Sequence, residues 1–304
     1  MIVLLLVFLS SLLIVGIINR ARAIFAGRRG YRFFQPLRNV KVLLKKTPVY
    51  SDNASVVSRL AAPVYLASLL VAAAMLPLGS SFPALISFEG DVIVFCVMLS
   101  VGRVAIVWAA MDSGGSFAGM GAARESLFAI LVEPALFLLI ATLCLITGHN
   151  SFFDIFSSFN NVSISMLVLS VVVGYGFLKL SFVECSRVPV DDPRTHLELT
   201  MIHEAMVLDL AGADLAIVQM AGWLKLSIFS LLVINSVIPA DIVGWDLVGF
   251  YFAGVGVFAV VIGAVESFSA RSRMSKNATN IAVISAVGLL AFIVALLFKN
   301  NIIQ

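Results

Sequence analysis

Between residues 184 and 212 the chain reads ECSRVPVDDPRTHLELTMIHEAMVLDLAG, from Glu184 to Gly212. With Asp214 two positions on, seven carboxylates fall here: Glu184, Asp191, Asp192, Glu198, Glu204, Asp209 and Asp214. His196 and His203 sit among them. The flanking runs, 164–183 and 213–238, are apolar and long enough to cross a bilayer, which takes about 20 residues. An acidic segment held between two membrane spans is costly beside lipid and points to a function. The stretch therefore sets the fold class, a bundle of membrane helices, and directs attention to proton handling.

The rest of the chain agrees. Of 304 residues, 61% are hydrophobic and 12% charged, about half the charge of an ordinary soluble domain. Mean hydropathy is +1.07. No segment between the spans is long enough for a soluble domain, so catalysis on water-soluble substrates is expected to come from partners. Cys96, Cys144 and Cys185 are the three cysteines and none has Cys-x-x-Cys spacing. An iron–sulfur cluster needs about four thiolates, so the chain cannot hold one alone.

Apolar spans are expected at about 1–18, 60–78, 91–111, 126–147, 164–183, 213–238, 248–267 and 281–298, which makes eight. Residues 1–18 lack a basic leader, and Arg20 and Arg22 follow them. This suits a retained helix with its N-terminus outside rather than a cleaved signal. Alternating crossings then place 19–59, 112–125, 184–212 and 268–280 in the cytoplasm. The first of these holds ten basic residues against one acid, Asp52; the next three hold Arg124, Arg187, Arg194, Arg271, Arg273 and Lys276. The opposite loops, 79–90, 148–163 and 239–247, have no Lys or Arg. Charge bias and span count thus agree. Within the first loop, residues 35–46 read as a short amphipathic helix. Its basic surroundings serve either lipid headgroups or a peripheral subunit, the latter through Arg28, Arg29, Arg32 and Arg38.

Arg103, Glu133, Lys179, Lys225 and Glu266 fall within or at the edge of apolar runs. Glu133 lies nine residues past Arg124, about 13 Å along a helix. Burial there favours the neutral acid, either as a relay or as a structural hydrogen-bond donor. Lys225 is expected to pair with a carboxylate such as Asp214, or to switch between partners. Arg103 is expected to snorkel or pair. In the acidic loop, Asp192 followed by Pro193 reads as a helix cap. A helix from there would carry His196 and His203 on nearly one face.

Several chemistries are excluded. His203-Glu204 lacks the second histidine of a zinc protease, because Val207 stands four residues on. Asp191-Asp192 has no second acidic cluster to make a magnesium-binding prenyltransferase site. Gly114-Gly115 and Gly119-x-Gly121 lack a phosphate-loop lysine, and are expected to form a tight turn into the next helix.

Nearly the whole chain resembles the subunit-H family of respiratory complex I, more closely its counterpart in membrane-bound group 4 nickel–iron hydrogenases, of the formate hydrogenlyase and hydrogenase-4 component C type. The likeness is carried by Ala21-Arg22-Ala23 with Arg28-Arg29-Gly30, by Gly121-Ala122-Ala123-Arg124-Glu125 and Val132-Glu133-Pro134, and by Glu184-x-x-Arg187-x-Pro189-x-Asp191. It continues through Thr195 to Ala205 and through Glu266-Ser267-x-x-Ala270-Arg271. Tyr31-Arg32 departs from the usual Pro-Gly, and Asp209 stands where a glutamate is usual.

The resemblance implies an all-α polytopic subunit spanning residues 1–304, with about eight helices, that anchors a peripheral redox arm. It assigns Glu133, Glu184, Asp191, Glu198, Glu204 and Asp209 to a proton path or its coupling loop. His203, Lys225 and Glu266 complete the candidates, with Arg124 and Arg187 as basic coupling partners. No cofactor is expected in this chain. Partners would be hydrogenase-like large and small subunits, an iron–sulfur subunit and antiporter-like membrane subunits, with iron–sulfur clusters and nickel–iron held there. Lipid is a further partner; nucleic acid is not. The expected place is the cytoplasmic (inner) membrane of a bacterium or archaeon. Two alternatives stay open: a quinone-chamber subunit of an NADH:quinone oxidoreductase-like complex, and a stand-alone ion-coupled transporter. The transporter reading would want an inverted repeat with broken helices, and none is evident.

Overall fold

The computed structural model describes residues 1–47, 49–50, 54–158, 164–191, 202–238, 242, 244–272 and 274–299. Among these the chain is all-helical apart from one isolated β-bridge, Leu78 to Phe82. The long helices are α1 (Ile2–Phe25), α3 (Val56–Ala74), α4 (Asp91–Asp112), α5 (Ser116–Thr147), α7 (Ile164–Glu184), α9 (Gly212–Asn235), α10 (Trp245–Phe268) and α11 (Met274–Lys299). Short helices α2 (Gln35–Leu44), α6 (Phe152–Ser157) and α8 (His203–Met206) lie between them. Seven of the long helices meet the length and hydropathy of a membrane span. The other, α7, has 21 residues and occupies the expected fifth position.

Local chemistry sets several ends. Ser55 caps α3 by accepting the Val57 N–H at 3.2 Å, a usual helix start. Gly148 ends α5 with φ +77°, a backbone conformation open mainly to glycine. Pro63 and Pro134 stand inside α3 and α5, where each lacks the N–H of one helical hydrogen bond.

Helix α9 is the centre of the bundle. Two-thirds of its apolar window is buried (67%), against 28% for α11. It packs on α1, α3, α7 and α10, and α2 rests against its start. Around it, α3 lies along α4, α10 along α1, and α5 along both α4 and α11. Phe95, Phe152, Phe177, Phe229 and Tyr251 are the large, fully buried rings of the core. Because Lys225 lies on the buried part of α9, it needs a partner within the bundle.

The expected amphipathic helix at 35–46 is α2, with Val40 turned inward and Arg38 and Lys41 outward. The expected loop at 112–125 is a correction. It shrinks to 113–115, because α5 begins at Ser116 and runs 32 residues. Such a helix is about 48 Å long, well beyond the ~30 Å hydrocarbon core. Hydropathy marks where lipid ends, and this helix continues past that point. For the same reason the first connection, expected at 19–59, runs only from Ala26 to Ser55 and itself contains α2. Gly119 and Gly121 therefore lie within the helix, and the turn belongs to Gly114, at φ +68°.

Candidate functional site

The site is built on Arg103, nine residues before the end of α4. Ser100, one turn earlier on the same face, donates to Glu133 Oε1 at 2.8 Å, and Arg103 Nη1 reaches the same oxygen at 3.2 Å. Arg103 Nη2 bonds Glu184 at the end of α7, and its Nε lies 3.7 Å from Glu125 Oε1. From the far side, Lys225 Nζ on α9 meets Glu184 Oε2 at 2.5 Å. One guanidinium and one ammonium thus serve three carboxylates drawn from α5 and α7. The Arg103 side chain is 8% exposed, Lys225 5% and Glu184 1%. Buried charges need such partners, since removing one leaves the other uncompensated.

Two small cavities flank Arg103. One of about 40 Å³ is lined by Tyr65, Glu125, Glu184, His203 and Lys225. The other, of about 10 Å³, is lined by Glu125, Glu184, Asp191 and Ile202. A water needs roughly 10–15 Å³ of such volume and several polar partners, so the first has room for water and the second is at the lower limit. Cys185 also lines the larger cavity. Burial, with Glu184 adding to it, pushes its thiol up to about 12 against the opposing pull of Lys225. It stays an inert thiol at neutral pH.

Two further acid pegs hold the segment after α7. Glu266, at the end of α10, takes Arg22 of α1 at 3.3 Å and Arg187 at 3.2 Å. Asp191 takes Arg271 at 2.8 Å and the His203 backbone N–H at 3.2 Å. His203 is half-buried in the lining of the larger cavity. That enclosure lowers its pKa, against the pull of Glu204 and Asp191. Glycine lets the loop come close: a Cβ on Gly121 would stand 2.8 Å from the Ile202 carbonyl oxygen. Gly119 meets nothing within 4 Å.

The sequence expectations divide accordingly. Glu184, Lys225, Asp191, His203, Arg187 and Glu266 come together around the cavities or their pegs. Glu133 joins through Arg103 but corrects the expectation of burial. Its side chain keeps 38% exposure and faces a lateral apolar groove of about 590 Å³ between α3, α4 and α5. The partner of Lys225 is Glu184 and not Asp214. Asp214 is instead buried near Tyr50, whose phenol it raises in pKa and whose ring carries Arg59 at 4.9 Å. Arg124 is half-buried and contacts Met120 Sδ at 3.7 Å. Asp209 is exposed, its carboxylate against Gly115 at the start of α5. Glu204 is half-buried on α8. Glu198, His196 and the expected helix from Pro193 lie outside the described residues. Arg28, Arg29, Arg32 and Arg38 are all exposed, as a docking surface requires.

Sequence reasoning passed over Glu125 and gave Arg103 too small a part. A buried arginine nine residues inside a span was the available signal, because it must have acids within reach. Among the described residues no group of three or more His, Cys, Asp or Glu side chains is placed to hold a metal ion.

A family profile described as NADH dehydrogenase matches residues 1–298. Hydrogenase-4 component C of Escherichia coli (strain K12) is 29% identical over 232 residues, covering 75% of this chain and 70% of that one. Formate hydrogenlyase subunit 4 of the same organism is 26% identical over 265 residues, covering 86% and 82%. A chain from the membrane-bound sulfane sulfur reductase, an archaeal respiratory membrane complex, superposes with a TM-score of 0.81 at 17% identity, covering 95% and 97%. At that identity the likeness is one of fold.

Proposed function

The chain belongs to the NADH dehydrogenase family, and on that premise we propose that it is the membrane-anchor and proton-transfer subunit of a multisubunit redox complex. One observation carries the reading. Arg103 holds Glu125, Glu133 and Glu184 around cavities of water size, and Glu133 opens sideways to the membrane. A proton entering at His203 or Asp191 has the cavity, Glu184 and Arg103's other carboxylates as successive stations. Glu133 is the exit, facing a groove that suits a helix of an antiporter-like neighbour. Lys225 and Arg103 compete for Glu184, so a change in the loop pinned by Asp191 and Glu266 would alter which carboxylate is neutralised.

In this reading the basic end of the bundle is cytoplasmic, the N-terminus is outside, and the chain crosses eight times. The exposed arginines of the first connection dock a hydrogenase-like arm, whose subunits hold the iron–sulfur clusters and, where that arm is a true hydrogenase, nickel–iron. The test has two parts. The tagged chain should copurify with hydrophilic iron–sulfur and catalytic subunits; purification alone in active form would favour a transporter. Glu133→Gln should lower proton uptake into vesicles with subunit content unchanged. Unchanged uptake would take Glu133 off the path.

A further inference from the structure

Helices α10 and α11 are consecutive, but each leans on other neighbours. α10 lies on α1 and α9, while α11 lies on α5 and α7. The wedge between them is a lateral groove of about 450 Å³ with α7 as its back wall. Ser269 and Asn280 stand at its upper end, the first just past α10 and the second six residues into α11. Below, Tyr175, Gly176, Val283, Ile284 and Val287 give an apolar track. Lys179 projects into the same groove and is exposed. Its ammonium lies 5.5 Å from the Tyr175 ring centre and forms no ion pair among the described residues. Arg22, Arg103, Arg187, Lys225 and Arg271 each have a carboxylate; the groove lining has none.

We infer that this groove seats an anionic phospholipid, its phosphate at Lys179, Ser269 and Asn280 and an acyl chain along Tyr175 and Val283. Charge complementarity selects the occupant. A lysine left without an acid on a lipid-facing surface near the helix ends is neutralised by a headgroup phosphate, and its flexible stem reaches between the ring and the interface. The hydroxyl and amide supply donors to phosphate oxygens. A zwitterionic lipid would bring its own cation against Lys179, so the site discriminates by charge. The bound lipid would close the gap between α10 and α11, whose connecting residues include Arg271, the partner of Asp191.

The test uses the protein, with whatever subunits accompany it, in nanodiscs of phosphatidylcholine containing a minor fraction of phosphatidylglycerol. Native mass spectrometry of released particles should find phosphatidylglycerol enriched over its share of the bilayer. Lys179→Gln should lower the retained amount about fivefold, the worth of one lysine near headgroups, and Lys179→Arg should keep it. Equal retention in wild type and Lys179→Gln overturns the site. A photo-crosslinking benzoyl-phenylalanine at Val283, with Lys179 intact, should give a phospholipid adduct. An adduct to another protein chain overturns it too, because the groove would then be a subunit interface.

Discussion

Glu184 and Asp91 are both buried acids, at opposite ends of the bundle, and their surroundings differ in kind. Glu184 lies between two cations, Arg103 and Lys225, with a cavity beside it. Asp91, at the start of α4, has only neutral donors: Oδ1 accepts the Phe152 N–H at 2.9 Å and Oδ2 the Ser151 hydroxyl at 2.8 Å. Its end of the molecule is fixed in the same manner. Asn235 donates to the Pro77 carbonyl at 2.8 Å and accepts the Gly79 N–H at 3.2 Å. Ser10, Ser227 and Tyr251 share hydroxyls within the core. All the ion pairs resolved among the described residues belong to the basic end. Neutral donors hold helices together; charges with room beside them can exchange partners and protons. The neutral end is thus held by fixed hydrogen bonds, and the charged end holds the groups that the proposed proton path uses.

The largest expected effect breaks the charged side of that comparison. Replacing Arg103 by Met leaves three acids around an apolar side chain. Loss of one member of a buried ion pair costs about 3–5 kcal/mol, so the variant should fail to accumulate or should melt far below wild type in detergent. Glu184→Gln should also be severe. Adding Lys225→Met to it should restore part of the loss, with a coupling of about 0.5–3 kcal/mol, because the second change removes the orphaned ammonium. Strict additivity would mean that Lys225 and Glu184 do not depend on each other.

A second prediction tests how tightly the acidic loop is seated. Gly121→Ala drives a methyl toward the Ile202 carbonyl, where backbone must shift, and overpacking of this kind costs about 1–3 kcal/mol. Gly119→Ala, half a turn away, meets open space and should be neutral or gain up to about 1 kcal/mol from helix propensity. Thermal melts of the two variants compare them directly. Equal melting would separate the loop from α5.

These glycines also mark what the sequence could convey. Span positions were legible because lipid demands about 20 apolar residues in a row, and seven of the expected spans, with α7, are found where apolar runs stand. Helix α2 was legible from its alternating basic and apolar faces. The partner of Lys225 was not, because periodicity along α9 says which face is buried and nothing about which helix covers it. Asp214 was the near choice in sequence; Glu184 is the near one in space. Glu125 was hidden by its position next to Arg124, at a membrane edge where charge is ordinary. Arg103 pulls it inward. Glu133 sits at the expected depth on α5, but its exposure depends on what lies beside α4, which no single helix records.

The protonation of His203 gives a smaller, graded effect. Enclosure lowers its folded pKa below the ordinary value near 6.5. Above about 6.5 both folded and unfolded forms hold it neutral, and its contribution to stability is complete. As pH falls through that value the unfolded chain takes up the proton first. Stability then drops by up to about 1.4 kcal/mol per pH unit until the folded pKa is passed. Melting followed from pH 8 to 5 should therefore show a steeper acid loss in wild type than in His203→Gln. Parallel curves would place the pH sensitivity elsewhere in the charged end.

The smallest effect belongs to the neutral end and is the sharpest check on the contrast. Asp91→Asn keeps the Oδ1 acceptor for Phe152, and the new amide can donate to Ser151, whose hydroxyl already lies 3.1 Å from Ser87. The change forfeits the favourable charge in the first turn of α4, worth about 0.3–1 kcal/mol. Melting should fall by no more than that, and proton uptake should not move. The same substitution of acid by amide at Glu184 strands two cations and should remove uptake along with stability. If Asp91→Asn were as damaging as Glu184→Gln, the acid at the quiet end would itself have to be ionised for function, and the proton route would run through the whole thickness of the bundle instead of leaving sideways at Glu133.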